Sequence, residues 1–200
     1  GLGTGHAATA FITALGERVH AGFRVRGIPT SRESANLAGQ LGIPLTSLDE
    51  IDTIDVTVDG ADEVDPQSNL IKGYGGALVR EKIVAVASRR LVILVGAEKL
   101  VPVLGARGIL PVEVVPFGLP LCRRLLADLG FASQHRLHDG RPFVTDNGNC
   151  ILDCQVPQLN KPAEVELAIR SIPGVVGTGL FLSLTPTVLI QKGDSVEMRN

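Results

Sequence analysis

Apolar and polar positions form alternating blocks along the first half of the chain. Two apolar runs rich in β-branched residues, "IDVTVDG" (54–60) and "RLVILVG" (90–96), predict strands that are buried on both faces. The pattern also predicts a strand over 22–29 and helices over 6–18 and 30–42. Residues 72–88 are predicted to be a glycine-rich turn that opens a third helix. Buried strands separated by helices indicate an α/β protein with a mostly parallel, doubly wound sheet.

The helix predicted over 30–42 carries its own boundary signals. Thr30 and Glu33 have the spacing of a capping box, in which two side chains satisfy backbone N–H groups at the start of a helix. Gly42 can adopt the left-handed conformation that commonly ends a helix. We therefore expect the helix to begin just after Thr30 and to stop before Gly42.

The pattern changes near Ile109 and predicts a second, smaller domain. The predicted order is strand 110–116, helix 118–130, strand 132–138, strand 143–156, helix 161–174 and strand 175–183. Asp139 and Gly140 form a "DG" pair that predicts a hairpin turn. The order βαββαβ is that of a ferredoxin-like α+β domain. Residues 187–199 predict two short strands that can rejoin the first sheet.

These patterns divide the chain into two predicted domains. Residues 1–108 together with 187–200 form the domain with the mostly parallel sheet. Residues 109–186 form the inserted ferredoxin-like domain.

Composition excludes several classes of function. The 200 residues are 44% hydrophobic and 20% charged with a net charge of −2, so the chain is not disordered. A nucleic-acid partner needs clustered Lys and Arg, which the chain lacks. No apolar stretch approaches the length of about 18–20 residues that a membrane span requires. We therefore expect neither a nucleic-acid partner nor a membrane partner.

The cysteines favour a reducing compartment. Cys122, Cys150 and Cys154 make an odd number, and no second Cys or His pair lies at zinc spacing near them. Buried free thiols are therefore favoured over a disulfide or a metal site. No signal peptide is visible, and we expect the protein to be cytoplasmic.

Three loops follow predicted strands, and ligands of open parallel sheets bind beyond the carboxyl ends of the strands. The first loop, residues 3–7, contains "GTG" before a helix and offers backbone N–H groups to an anion. It lacks the G-x-G-x-x-G spacing of a dinucleotide site, and no acidic residue ends the next predicted strand. An anion-binding turn and a purely structural turn both remain open.

The second loop is acidic. Asp59 and Asp62 lie at or just after the end of a predicted strand, where paired carboxylates can act as acid and base if their surroundings separate their pKa values. We expect Glu63 and Asp65 to be solvated turn residues. A metal site is the rival hypothesis, but no His or further acid nearby completes a ligand set.

The third loop combines a cation, glycines and a carboxylate. Lys72 precedes a turn with three glycines, and Glu81 lies about one and a half turns into the predicted helix. Lys99 adds a second cation beyond the next strand. For Glu81, a surface i,i+4 partner is the alternative.

This set of groups suits one class of reaction. A carboxylate can move a proton between adjacent carbons while Lys and amide groups stabilise an enediolate. A second acid pair can open a cyclic sugar, and the remaining amides and Lys can hold a phosphate. The chain shows no Ser-His-Asp arrangement and no metal cage. The residues therefore favour a sugar-phosphate isomerase.

Several motifs also resemble a known family. "VDGADEVDP", "IKGYGGALVREKI" and "VTDNGNCILD", in this order, resemble ribose-5-phosphate isomerases of the A type, and the likeness covers essentially the whole chain. It implies a Rossmann-like domain with a smaller inserted α/β domain. It also implies interconversion of D-ribose 5-phosphate and D-ribulose 5-phosphate, in the non-oxidative pentose phosphate pathway. The resemblance further implies no metal, no cofactor, and a homodimer or larger homo-oligomer.

The resemblance assigns roles to matching positions. It implies that Glu81 moves the proton between C2 and C1, that Asp59 and Asp62 assist ring opening, and that Lys72 acts beside them in catalysis. The residues implied to bind substrate are Thr4, Gly5, His6, Ala7, Asp59, Gly60, Ala61, Asp62, Lys72, Gly73, Tyr74, Gly75 and Lys99.

The first loop departs from the family pattern. The family usually has Ser and Thr hydroxyls where this chain has His6 and Ala7, which changes the donors offered to a phosphate. The family also has a helix and a strand ahead of this loop, with a basic residue near the start, so we expect the chain to be truncated there. The alternative from another class is a sugar-phosphate-sensing effector domain of a transcriptional regulator, which does not require the acid–base function of Glu81.

Overall fold

The computed structural model describes residues Gly1–Asn200, which form two compact units. The first unit comprises Gly1–Ala61, Arg80–Glu98 and Leu184–Asn200, and the second comprises Asp62–Val79 and Lys99–Ser183. No helix is long and apolar enough to cross a membrane.

Helices and strands alternate through most of the chain. The α-helices are α1 (His6–His20), α2 (Arg32–Gln40), α3 (Leu78–Val86), α4 (Leu119–Asp128) and α5 (Pro162–Arg170), with short 3₁₀ turns at Ala97–Lys99 and Pro116–Gly118. The strands are β1 (Thr57–Gly60), β2 (Glu63–Val64), β3 (Leu70–Ile71), β4 (Leu91–Gly96), β5 (Ile109–Val114), β6 (Ser133–His135), β7 (Leu137–His138), β8 (Arg141–Pro142), β9 (Cys150–Gln155), β10 (Val175–Thr178), β11 (Leu180–Phe181), β12 (Thr187–Lys192) and β13 (Ser195–Arg199).

The first unit is built on a four-stranded sheet in the order β1-β4-β12-β13. The strands β1, β4 and β12 are parallel, and β13 returns antiparallel beside β12. Leu2 extends this sheet through single parallel bridges to Val58 and Pro29. Apolar side chains of α1 and α2, among them Ile12 and Ala38, pack around Leu2. This confirms the predicted α/β sheet and the return of the last residues to it.

The strand predicted over 22–29 is wrong, because only isolated bridges form there. Gly27 bridges to Leu45, and Pro29 bridges to Leu2. Pro29 has no N–H to donate to a ladder, and Gly22 has a φ of 96°, outside the β region. The short alternation of apolar and polar residues at Phe23 to Arg26 is therefore not sufficient to form a strand.

The predicted capping residue of α2 is also wrong by one position. Ser31 is the N-cap, and its hydroxyl accepts the Ser34 N–H at 3.1 Å. Thr30 is buried, and its hydroxyl donates to the carbonyl of Leu2 at 3.1 Å. At the other end, Gly42 has a φ of 68°, as expected for a residue that ends a helix.

The second unit contains the predicted ferredoxin-like arrangement. The chain order β5, α4, β6, β9, α5, β10 gives a four-stranded sheet in the order β10-β5-β9-β6, with every neighbouring pair antiparallel. Leu110, Val112 and Leu152 of this sheet belong to one core cluster with Leu126 of α4 and Ile169 of α5. The predicted hairpin turn is present between β7 and β8.

That turn follows from its sequence. Asp139 and Gly140 have φ values of 50° and 74°, and His138 pairs directly with Arg141. Two successive positive φ values match the twist of a two-residue hairpin, which Asp and Gly tolerate better than other residues.

A three-stranded sheet in the order β11-β3-β2 completes the second unit. Because β2 pairs with β3 and β3 pairs with β11, residues 62–79 lie in the second unit. Residues 99–108 lie there too, whereas the sequence pattern assigned both segments to the first domain. That the chain divides into separable domains at 108/109 and 186/187 stays a prediction.

Candidate active site

In the first unit, Asp59 holds the loop that begins the chain. Asp59 is a residue of β1 and is only 2% exposed. Its Oδ1 accepts the N–H of Gly60 at 2.7 Å and the N–H of Thr4 at 3.2 Å. A Cβ atom on Gly3 would overlap the Asp59 carboxylate, so this close approach requires glycine. The acidic and glycine-rich loops of this unit are therefore in direct contact.

A chain of hydroxyl groups fixes the same loop from the other side. The Thr4 hydroxyl lies 2.8 Å from that of Thr30, and the Ser34 hydroxyl donates to the carbonyl of Gly3 at 2.5 Å. Sequence reasoning missed Thr30 and Ser34 in this role, because nothing in the α2 pattern places them against residues 3–4. The hydroxyl chain fixes the backbone direction of the loop.

The N-terminus of α1 follows this loop and faces no capping side chain. Gly5 is the N-cap, with a φ of 92°, and the first turn carries no acidic residue. His6 is exposed, and Ala7 lies near Gly60, whose added Cβ would contact the Ala7 Cβ at 3.5 Å. The positive end of the helix and its first N–H groups are thus arranged as an anion site would need them.

Glu81 occupies the first turn of α3 in the first unit. The expected position of one and a half turns into the helix is wrong, because α3 begins at Leu78 and Gly76 has a φ of 84° that a helix excludes. Glu81 is 3% exposed, so it is not the surface i,i+4 partner that formed the alternative. A buried carboxylate at a helix N-terminus is stabilised by the helix dipole.

In the second unit, Asp62 lies within a group of cations. Its Oδ2 accepts the N–H of Tyr74 at 3.0 Å. Burial raises the pKa of the Asp62 carboxyl above its usual value, while this N–H and nearby positive charges oppose the rise. These charges belong to Lys72, Lys99 and Arg136. Asp62 is therefore closer to its protonated form than a solvated aspartate, which favours proton exchange.

Lys72 and the glycine turn after it are held by β3 and its partner β11. Lys72 is 4% exposed, its N–H donates to the Gly179 carbonyl at 2.9 Å, and its Nζ lies 5.6 Å from the centre of the Phe181 ring. An ammonium group at this distance from an aromatic ring is held by a cation–π interaction. Gly73 adopts a φ of 103°, while Gly75 is exposed.

Tyr74 and Lys99 border the same group. The Tyr74 hydroxyl donates to the Ile109 carbonyl at 3.3 Å, and burial, with the charge of Asp62 next, raises its pKa to about 12. The phenol is therefore protonated at neutral pH and acts as a donor. Lys99 is the last residue of the 3₁₀ turn Ala97–Lys99 and is half-buried.

The expectation that Glu63 and Asp65 are solvated is wrong. Glu63 is fully buried and accepts the N–H groups of Gly105 at 2.6 Å and Arg107 at 2.7 Å. Asp65 is 6% exposed, and its Oδ1 accepts the N–H of Asn69 at 2.8 Å. Both carboxylates satisfy loop amides that have no strand partner, so they are buried as structural acceptors.

The structure thus groups the predicted residues within each unit. The first unit joins Thr4, Asp59 and Gly60 and holds Glu81 on a separate element. The second unit joins Asp62 with Lys72, Tyr74 and Lys99. Sequence reasoning missed Arg136, which contacts the glycine turn. No group of three or more His, Cys, Asp or Glu side chains is arranged for a metal ion.

Comparison with known families gives one clear match. Residues 26–195 match the profile of the family described as ribose 5-phosphate isomerase A (phosphoriboisomerase A). A ribose-5-phosphate isomerase A of Bradyrhizobium diazoefficiens is 47% identical, over 99% of this chain and 86% of the relative.

Solved structures are similar over the whole chain. A D-ribose-5-phosphate isomerase in complex with phospho-erythronic acid superposes with a TM-score of 0.95 and 37% identity, covering 100% of this chain and 89% of that one. Ribose 5-phosphate isomerase A of Methanocaldococcus jannaschii gives a TM-score of 0.93 and 40% identity, with the same coverage of 100% and 89%. The similarity therefore extends to sequence and fold together.

We expect Gly3→Ala to destabilise the protein, because the new Cβ overlaps Asp59. The expected loss is about 1–3 kcal/mol in the free energy of unfolding, measured by urea denaturation. Gly39→Ala is the matched control, since a Cβ there meets nothing within 4 Å inside α2. That variant should gain about 0.5–1 kcal/mol. Equal stability of the two variants would contradict the contact.

Proposed function

The chain belongs to the ribose 5-phosphate isomerase A family, and from this premise we propose that it interconverts D-ribose 5-phosphate and D-ribulose 5-phosphate. The chain is an isomerase of the non-oxidative pentose phosphate pathway. The comparisons give no support to the alternative of a regulator's sugar-sensing domain. Among the structural observations, the buried carboxylate of Glu81 at the start of α3 carries the proposal.

The reaction requires a base that exchanges a proton between two neighbouring carbons. Removal of the C2 proton of the open-chain aldose leaves an enediolate. Transfer of the hydroxyl proton from O2 to O1 and return of the first proton to C1 give the ketose. We assign this transfer to Glu81, which is 3% exposed and therefore shielded from exchange with bulk water. A carboxylate fits because it accepts the proton from one carbon and can return it to the next without changing place.

Ring opening precedes proton transfer and requires an acid and a base. We assign this step to Asp59 and Asp62, whose surroundings differ. Asp59 accepts two backbone N–H groups, both at Oδ1. Burial raises the pKa of Asp62 and favours its protonated form. Two carboxyl groups in different surroundings can act as base and acid, so that one takes the proton of the anomeric hydroxyl and the other gives a proton to the ring oxygen.

Cationic and amide groups stabilise the negative charge that develops in the enediolate. We assign this role to Lys72, with residues 73–75 lining the sugar and Lys99 binding the substrate. Lys72 is 4% exposed, and a charge in such a dry environment acts more strongly than one in water. Gly60 and Ala61 extend the sugar contacts beside Asp59.

The phosphate is assigned to residues 4–7. Its supports are the uncapped N-terminus of α1 and the backbone N–H groups of Gly5, His6 and Ala7, while Thr4 can contribute its hydroxyl. Backbone donors do not depend on side-chain identity, so the site retains them although His6 and Ala7 carry no hydroxyl. The exposed His6 ring adds an N–H donor at its rim.

The proposed mechanism uses only protein carboxylates, a lysine and amides, so we propose that no metal or other cofactor takes part. We also propose a cytoplasmic location, which the buried thiols of Cys122, Cys150 and Cys154 suit. Burial raises the pKa of the Cys154 thiol to about 12, which leaves it unreactive.

An isomerase assay on the purified chain after treatment with a chelator tests the activity. We expect turnover of ribose 5-phosphate to persist and to exceed that of other aldose phosphates in a matched panel. Phospho-erythronic acid, bound by the relative described above, should inhibit competitively. Tight sugar-phosphate binding without turnover of any member of the panel would instead indicate a sensor.

We expect Glu81→Gln to lower kcat by about 10²–10⁴-fold, because an amide cannot accept the substrate proton. Binding of ribose 5-phosphate, measured by calorimetry, should change little, since the side chain keeps its size. Glu33→Gln is the matched control, because Glu33 lies exposed in the first turn of α2. Turnover of Glu81→Gln near that of Glu33→Gln would exclude Glu81 as the base.

We propose that the protein is a homodimer or a larger homo-oligomer. Apolar side chains remain exposed in each unit, including Phe117 at 98% and Leu167 at 74% in the second and Val196 at 66% in the first. Sedimentation velocity at micromolar concentration should give at least about twice the chain mass of 21.1 kDa. A species of monomer mass across the concentration range would contradict the assembly.

A further inference from the structure

Arg136 is a cation of the second unit that the proposed chemistry does not use. It follows β6, and its guanidinium pairs with Asp153 through two hydrogen bonds, Nε to Oδ2 at 2.9 Å and Nη2 to Oδ1. Both side chains are mostly buried. Its remaining nitrogen, Nη1, donates to the carbonyl oxygens of Gly73 at 2.7 Å and Tyr74 at 3.1 Å. All three guanidinium nitrogens therefore have partners, and Asp153 fixes the plane of the group.

These contacts determine where the neighbouring N–H groups point. The protein has no cis peptide bond, so the C=O of each residue and the N–H of the next point in opposite directions. The Gly73 carbonyl faces Arg136, and the Tyr74 N–H of the same peptide donates to Asp62 at 3.0 Å. Arg136 and Asp62 thus hold opposite sides of one peptide group. By the same geometry, the N–H of Gly75 points away from Arg136.

The β7–β8 hairpin holds this arrangement in place. The Phe143 N–H donates to the carbonyl of Arg136 at 2.9 Å, which closes the hairpin at its base. The Phe143 ring packs against Gly76, where an added Cβ would overlap it. Two residues from the base of one hairpin therefore contact the start and the end of the glycine turn, residues 73–76.

We propose that Arg136, oriented by Asp153, is a positioning residue that fixes the Gly73–Tyr74 peptide and thereby the carboxylate of Asp62. The proposal rests on the proposed function, in which Asp62 assists ring opening. The rival explanation is an ion pair that only stabilises the fold. The two differ in what they predict for the reaction, because only positioning makes kcat/KM depend on the planar fork of Arg136 as well as on its charge.

The charged and titratable groups around Asp62 define the expected pH effect. They are Lys72, Lys99, Arg136 and the phenol of Tyr74. Loss of the Arg136 charge removes one of the effects that lower the pKa of Asp62, so that pKa rises further. The limb of the pH–rate profile that reports the ionisation of Asp62 should then move to higher pH.

The test compares Arg136→Met with Arg136→Lys on ribose 5-phosphate. Arg136→Met should lower kcat/KM about 10–100-fold, as for other displaced catalytic groups, and shift the limb upward. Arg136→Lys keeps the charge without the planar fork, so its limb should stay in place while kcat/KM falls. Asp153→Asn keeps the shape of the side chain at position 153 but holds Arg136 less firmly, so it should give a smaller fall in kcat/KM. Arg124→Met, on an exposed arginine of α4, is the control.

Wild-type kcat/KM and an unmoved pH limb in Arg136→Met, with only a lower Tm, would overturn the proposal. An equal loss in Arg124→Met would also overturn it. Hydrogen exchange of the Tyr74 N–H gives a readout that does not need turnover, and it should accelerate in Arg136→Met but not in Arg124→Met. If the wild-type chain fails to isomerise ribose 5-phosphate, the proposed function fails, while this exchange measurement still decides whether Arg136 fixes the peptide.

Discussion

The need to satisfy buried charge is the constraint on which the rest of this structure depends. A carboxylate removed from water is strongly destabilising unless donors replace its solvation. Over residues 59–65 the donors are mostly backbone N–H groups. Asp59 accepts from Thr4 and Gly60, and Asp62 accepts from Tyr74. The loops that supply these donors must hold a fixed path, which explains their glycines and the close contact at Gly3.

The same constraint distinguishes Asp62, which is assigned to ring opening, from Glu63, which is a structural acceptor. Each oxygen of the Glu63 carboxylate accepts one backbone N–H group, from Gly105 and from Arg107, so both oxygens of this buried group have a partner. Asp62 has one such donor, and burial outweighs its cations to raise its pKa. The two carboxyl groups, which are neighbours along the chain, thus differ in the number of backbone N–H groups that replace their solvation. Sequence adjacency alone assigns no such difference.

Much of the fold and part of the site could be predicted from the sequence. Helices, the βαββαβ order and the hairpin at Asp139 depend on local periodicity and turn chemistry, which a sequence shows directly. The strand expected over 22–29 failed because Gly and Pro interrupt its pairing. Three features arise from contacts across long sequence separations: the place of residues 62–79 in the second unit, the burial of Glu63 and the contacts of Arg136. No local pattern contains that information.

Because β12 returns to the sheet of the first unit, this sheet can be completed only after the intervening segment of the second unit has been synthesised. β4 pairs with β1 on one side and with β12 on the other, and the whole second-unit segment Lys99–Ser183 is synthesised between β4 and β12. A chain emerging from the ribosome can therefore complete the local antiparallel core of the second unit first. The parallel sheet stays open at one edge until Thr187–Lys192 has been translated. During that interval the nascent chain exposes an apolar strand edge, the kind of surface on which chaperones and misassembly act.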